Sequence, residues 1–104
     1  MNKYRNQPTV VDGHRFDSRK EAARYQQLLL MQRAGVIEGL RLQVPYVLID
    51  KSKHGLAIRY IADFVYFDRE RKQTVIEDVK GVRTDVYLLK KRLMAEQGYE
   101  IVEV

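Results

Sequence analysis

With 104 residues the chain has the length of one domain, and residues 1–104 are expected to fold as a single unit. It contains no cysteine, which excludes disulfides, thiolate zinc sites and cysteine nucleophiles and fits a reducing, cytoplasmic setting. A balance of 19 Lys and Arg against 14 Asp and Glu gives a net charge of +5, which favours polyanions such as nucleic acid, and no apolar run approaches the ~20 residues of a membrane helix.

Residues 1–8 are polar and basic and read as a loose N-terminal arm. The opening MNKYRNQPTV has no apolar stretch of the kind a signal peptide carries. Asp12-Gly13 is a favoured pair for a tight type I′ turn, so the residues around it predict a short hairpin. Ser18, followed three residues later by Glu21, is a capping-box signature. The helix it opens carries Ala22, Tyr25, Leu28, Leu29 and Met31 and stops at Gly35, with Arg33 in its last turn.

Three strand-like runs follow. Residues 40–49 are apolar, with Pro45 inside them, which suggests an edge strand or a bulge. Residues 57–67 are rich in β-branched and aromatic side chains, and residues 74–79 form the third run. The charged turns between them, 50–55 and 68–72, are short enough for antiparallel hairpins. Thr84 can cap a second helix through Tyr87, Leu88, Leu89, Leu93 and Met94 to Gly98, and residues 100–104 close the chain as a strand. A strand, a helix and a strand imply a right-handed parallel crossover. The expected fold is therefore α/β (α+β): an αβββαβ core with a mixed central sheet flanked by helices, after a small N-terminal hairpin.

The chemistry concentrates on two strands. Asp78 and Lys80 alternate onto one face near a strand end, where an acid and a lysine suit a site better than a core. Asp63 stands in the apolar run Ile61-Ala62-Asp63-Phe64-Val65, and a buried carboxylate requires a partner or a metal. Pairing the strands about the 68–72 turn brings Asp63 near Asp78. Two adjacent carboxylates repel, and Mg²⁺, which prefers hard oxygen ligands, relieves that repulsion. A cation there polarises a phosphoryl oxygen, while Lys80 is placed to orient water or to stabilise charge on a phosphate.

These residues resemble the PD-(D/E)XK nuclease superfamily, and most closely its small phage members of the Holliday-junction-resolvase-like group. Val11-Asp12-Gly13-His14-Arg15-Phe16-Asp17-Ser18-Arg19-Lys20-Glu21-Ala22 is similar to the opening of that group, and to that of the endonuclease subunit of heteromeric transposases. The resemblance, running from about Tyr4 to the C-terminus, implies an αβββαβ nuclease. It implies Asp63 as the first motif acid, Asp78 as the second, Lys80 as the motif lysine and Glu21 as the helix acid. The backbone carbonyl of Val79 would join Glu21, Asp63 and Asp78 around Mg²⁺, with Mn²⁺ able to substitute. Ala62 stands where the name-giving proline would be, a position that varies across the superfamily.

Other residues have plainer roles. Glu21 also has a structural reason for its place, as the last residue of a capping box. Glu77 faces away from Asp78 and reads as structural. Gln43 lies in the first strand, where some nucleases of the superfamily that the chain resembles place a polar residue near the metal, but such a residue is more often an ordinary edge-strand polar group, and it is left outside the core site. His14 and His54 fall in turns and read as solvated. Lys90, Lys91 and Arg92 form a basic run on the second helix, at least partly a solvated face. Phosphate contacts are expected from Lys3, Arg5, Arg19, Lys20, Arg83 and Lys90, which would set affinity and salt sensitivity rather than sequence choice.

The expected function is a Mg²⁺-dependent endodeoxyribonuclease acting on DNA by direct water attack, with no membrane partner. The resemblance points to branched DNA and to a bacterial host cell, with phage encoding. A four-way junction needs two symmetric cuts, so that substrate would imply a homodimer. The alternatives are a transposase-type or structure-nonspecific nuclease and a DNA-binding module without catalysis.

Overall fold

Local signals set the ends of each element in the computed structural model, which describes residues 7–104. The N-terminal hairpin pairs β1 (Thr9–Val11) with β2 (His14–Phe16). Its turn residues Asp12 and Gly13 have φ of 51° and 78°, the positive values that a type I′ turn demands at both positions. Helix α1 (Arg19–Arg33) starts as expected: Ser18 Oγ accepts the Glu21 N–H at 3.1 Å. The reciprocal half of the capping box is displaced by one residue, because Glu21 Oε2 accepts from the Asp17 N–H at 3.4 Å. Gly35, at φ 77°, supplies the left-handed step that ends α1.

The main sheet has four strands in the order β3 (Ile37–Ile49), β4 (Ile58–Asp68), β5 (Gln73–Asp78), β6 (Ile101–Glu103). The β3–β4 and β4–β5 pairs are antiparallel and β5–β6 is parallel, with α2 (Asp85–Glu96) in the connection between the last two. Beyond the hairpin, the element order is therefore αβββαβ, in a mixed α+β fold. Pro45 is tolerated because β3 is an edge strand. The strand begins at Ile37, three residues before residue 40, because Gly39 (φ 66°) absorbs a register shift and lets the buried Ile37 rejoin the ladder opposite Asp68. Among the described residues no helix is long and apolar enough to cross a membrane.

Two apolar clusters hold the helices to the sheet. Ala22, Tyr25 and Leu28 of α1 pack with Phe16, Phe64 and Tyr66. Tyr87 and Met94 of α2 pack with Leu48, Tyr60, Ala62 and Val65 on the other side. Within β4 the alternation slips: Tyr60 and Ala62 face α2, whereas Phe64 and Tyr66 face α1. The same slip occurs in β3, where Leu40 and Leu42 pack toward α1 but Val44 and Tyr46 toward α2. Leu42 pairs with Phe64 and Val44 with Ala62, so the reversal falls at Gln43 and Asp63. Gln43 is left-handed, at φ 52°, an uncommon and costly conformation for a non-glycine residue.

Phe64 is fully buried and lies 6.4 Å, ring to ring, from both Phe16 and Tyr25. It anchors β4 just past the reversal. Phe64→Ala is expected to destabilise the domain by about 3–5 kcal/mol in urea denaturation followed by circular dichroism. A loss below about 1 kcal/mol would show that the core does not depend on this ring.

Candidate active site

The reversal at Gln43 and Asp63 is where the polar residues of the sheet gather. A cleft of about 450 Å³ opens there, between the start of α1, the middle of β4 and the segment after β5. Glu21, Asp63, Asp78, Val79 and Lys80 all line it, so the strand pairing and the first helix bring the sequence-predicted set together. The register Phe64–Glu77 puts Asp63 next to Asp78 across the β4–β5 ladder, as the turn geometry implies.

Glu21 is buried in the first turn of α1, and its carboxyl pKa is pushed up to about 7. Burial is the main cause and the nearby charge of Asp63 the second. Contact between the two carboxyl groups raises the Glu21 pKa and lowers that of Asp63, which favours Glu21 as the protonated partner. The Asp63 pKa is also raised, mainly by burial and further by Asp78, against the opposing effect of a hydrogen bond from the Val79 N–H. That bond measures 2.8 Å. The Gln43 amide reaches Glu21 Oε1 at 3.3 Å and Asp63 Oδ1 at 3.4 Å, so one side chain bridges both acids. Gln43 therefore belongs to the site, although as an edge-strand polar residue it lies outside the set expected from sequence. A polar residue within an apolar run was the one available signal.

Asp78 is buried and held from both sides. Tyr60 donates its hydroxyl to Oδ2, and Lys80 Nζ lies 2.7 Å from Oδ1. Burial, and then the bond to Asp78, push the Tyr60 hydroxyl pKa well above its usual range. The Lys80 ammonium also sits 3.5 Å from the centre of the Tyr87 ring, a cation–π contact. Tyr87 in turn donates to Glu103, which pairs with Arg83 at 2.5 Å and Lys91 at 3.5 Å. The Tyr87 donation, followed by the Arg83 bond, lowers the Glu103 pKa.

Val104 bonds to the backbone of Asp78 and Lys80, the residues on either side of Val79. In an extended chain this leaves the Val79 N–H and C=O on the β4 edge, where the N–H meets Asp63. Among the described residues, no group of three or more His, Asp and Glu side chains encloses a single metal position. The paired acids are Glu21 and Asp63, while Asp78 is engaged by Lys80 and Tyr60. Glu21 and Asp63 are hard oxygen groups of the type divalent cations take, with ionisation suppressed by burial and mutual repulsion.

The remaining sequence-predicted residues divide. Lys20 lines the cleft and donates to the Lys80 carbonyl at 2.8 Å. Arg83 lies in the adjoining groove, paired with Glu103. Arg19 is exposed at the start of α1. Lys90 is half-buried on α2 and is not among the lining residues of either the cleft or that groove. Lys3 and Arg5, with most of the 1–8 arm, lie outside the described residues. Glu77 is structural, as its strand face implies: it is fully buried beneath α1, takes a two-pronged bond from Arg24 at 2.6 and 2.8 Å, and accepts from Tyr66. Neither histidine joins the cleft lining. A family model with the description "Protein of unknown function (DUF1064)" matches residues 1–104. No curated protein and no solved structure matches the chain.

A raised Glu21 pKa means that the folded chain holds a proton which the unfolded chain releases between the ordinary carboxyl value of 4.5 and about 7. Without a cation, stability is therefore expected to fall as pH rises through that window. Glu21→Gln removes the penalty. At pH 8 the variant is expected to melt about 4–8 °C above the parent, the shift that roughly 1 kcal/mol gives in a domain of this size. A variant that melts lower than the parent at pH 8 would contradict the assignment.

Proposed function

The chain belongs to the DUF1064 family, and from its site we propose that it is a divalent-cation-dependent endodeoxyribonuclease. The observation that carries this is the meeting of Glu21, Asp63, Asp78 and Lys80 in one cleft at the sheet reversal. The order and placement of these residues on an αβββαβ chain support it, as does their resemblance to the PD-(D/E)XK nucleases. Glu21, Asp63, Asp78 and the Val79 carbonyl would hold Mg²⁺, with Mn²⁺ a substitute. When bound, the cation supplies Lewis-acid polarisation of a phosphoryl oxygen and lowers the pKa of adjacent water.

The chain's own groups do the rest. Glu21 and Asp63 would hold the cation as carboxylates, and its charge would offset the mutual repulsion that helps raise their pKa values. Gln43 keeps the two carboxylates in register through its single amide. Lys80 is held between Asp78 and the Tyr87 ring, so its ammonium is oriented before substrate arrives. From there it stabilises negative charge as water oxygen bonds to phosphorus and the bond to the leaving oxygen breaks. Lys20 and Arg83 extend the positive lining from the cleft into the adjoining groove, where they favour a phosphate backbone.

Branched DNA is the proposed substrate, with a homodimer placing two sites on a four-way junction. The test is cleavage of an end-labelled four-way junction and its matching linear duplex, with Mg²⁺, Mn²⁺ or EDTA. Metal-dependent cutting is expected, reduced roughly a hundredfold or more in Asp78→Asn and in Lys80→Ala. Equal cutting of both substrates would keep the nuclease and remove the junction preference. Absence of cutting with either metal would overturn catalysis by the isolated chain.

A further inference from the structure

The reversal that builds the site also leaves part of the sheet bare. Beyond Gln43, residues Val44, Tyr46 and Leu48 of β3, with Tyr60 and Ala62 of β4, turn toward α2 and pack against its cluster. Their neighbours Pro45, Val47, Arg59 and Ile61 must then project to the opposite side, the side that α1 occupies farther along the sheet, up to the register shift after Val47. There α1 no longer reaches. Val47 and Ile61 are 45% and 44% exposed, and Pro45 and Arg59 are exposed with them. The register joins them into cross-strand pairs, Pro45 opposite Ile61 and Val47 opposite Arg59. The result is a continuous, uncovered face of two strands, apolar with one guanidinium in its middle.

The face runs directly into the candidate site. Ile61 lines the cleft with Glu21, Asp63 and Asp78. At its far end the β3–β4 turn carries Lys51 and Lys53, and from Gln43 to Ile61 these two and Arg59 face a single carboxylate, Asp50. From Gln43 to Val47 the strand advances four residues, about 13 Å. That spans about four base-pair steps of a duplex at 3.4 Å of helix axis each. A two-stranded ribbon is a shape that duplex grooves admit, and Pro, Val and Ile are side chains that pack on sugars and base edges.

Resting on the nuclease reading above, we propose that this uncovered β3–β4 face is the platform for the duplex arm flanking the cleaved phosphate. Val47 and Ile61 pack on the groove, and Arg59 and the turn lysines meet the backbone. The occupant is DNA rather than a second copy of the chain, because the cations flank the apolar strip and the strip ends in the cleft. None of these residues touches the carboxylates or Lys80 in the manner of the catalytic set. Binding can therefore be separated from chemistry.

The experiment measures fluorescence anisotropy of a labelled four-way junction and of a duplex, with Ca²⁺ in place of Mg²⁺, for the parent, Val47→Asp and Arg59→Ala. Val47→Asp is expected to weaken binding at least tenfold. Arg59→Ala is expected to weaken it severalfold and to reduce the slope of log Kd against log salt by about one. Both should retain the parent's melting temperature and its Mg²⁺-induced stabilisation, since the substituted side chains are exposed. Parent-like DNA affinity in both variants overturns the platform while leaving the nuclease intact. Conversion of a dimer to a monomer by Val47→Asp in sedimentation, with DNA affinity per chain unchanged, assigns the face to a second copy and also overturns it. A parent that neither binds nor cuts DNA removes the nuclease reading itself, and the platform with it.

Discussion

Gln43 adopts a left-handed backbone in the middle of an edge strand, and at that point both β3 and β4 exchange the side chains they present to the two helices. A conformation of that kind costs about 1–3 kcal/mol in a non-glycine residue. It persists because Leu42, Phe64 and Tyr66 are fixed under α1 on one side of the reversal, and Val44, Tyr46 and Tyr60 under α2 on the other. Neither packing is available to a strand of uninterrupted alternation. The consequence is local and chemical: the residues at the reversal, Gln43 and Asp63, are drawn into neither apolar cluster and come to lie beside the buried carboxylate of Glu21.

That carboxylate pair is the electrostatic centre of the molecule. Burial pushes the Glu21 pKa up to about 7 and raises that of Asp63, so without a cation two full charges at the site are disfavoured. Around it the neighbouring charges are arranged in fixed pairs: Asp78 with Lys80 and Tyr60, Lys80 with the Tyr87 ring, Tyr87 with Glu103, Glu103 with Arg83 and Lys91. The chain of contacts runs from the cleft to the rim and couples the proposed catalytic lysine to α2 and to β6. On the other face of β5, Glu77 satisfies its burial through Arg24 and Tyr66 and takes no part in the cleft.

Much of the fold was legible from local signals. Asp12-Gly13 specifies its own turn, Ser18 with Glu21 specifies a helix start, and Gly35 and Gly98 mark where the helices stop. An acid amid the apolar run of β4, and an acid and a lysine two residues apart near the end of β5, are departures from a core pattern that point to a site before any pairing is known. What the sequence hid is of tertiary origin. No residue at position 43 announces a positive φ, since glutamine has neither the freedom of glycine nor the short side chain of asparagine. The slip in alternation follows from two helices competing for one strand pair. It cannot be read from either strand alone, and with it Gln43's bridging role and the bare β3–β4 face stay hidden. Tyr60 likewise reads as an ordinary core aromatic until its hydroxyl is found on Asp78.

If the Glu21–Asp63 pair is a divalent-cation site, cation binding must expel the proton that a raised pKa leaves on Glu21. Isothermal titration of Mn²⁺ into the protein, repeated between pH 6 and 8 in buffers of different ionisation enthalpy, measures this directly. The expected result is proton release on binding near pH 6.5, shrinking toward pH 8, with affinity that rises over the same range and is lost in Asp63→Asn. Binding that releases no proton and is indifferent to Asp63→Asn would place the cation elsewhere and contradict the proposed site.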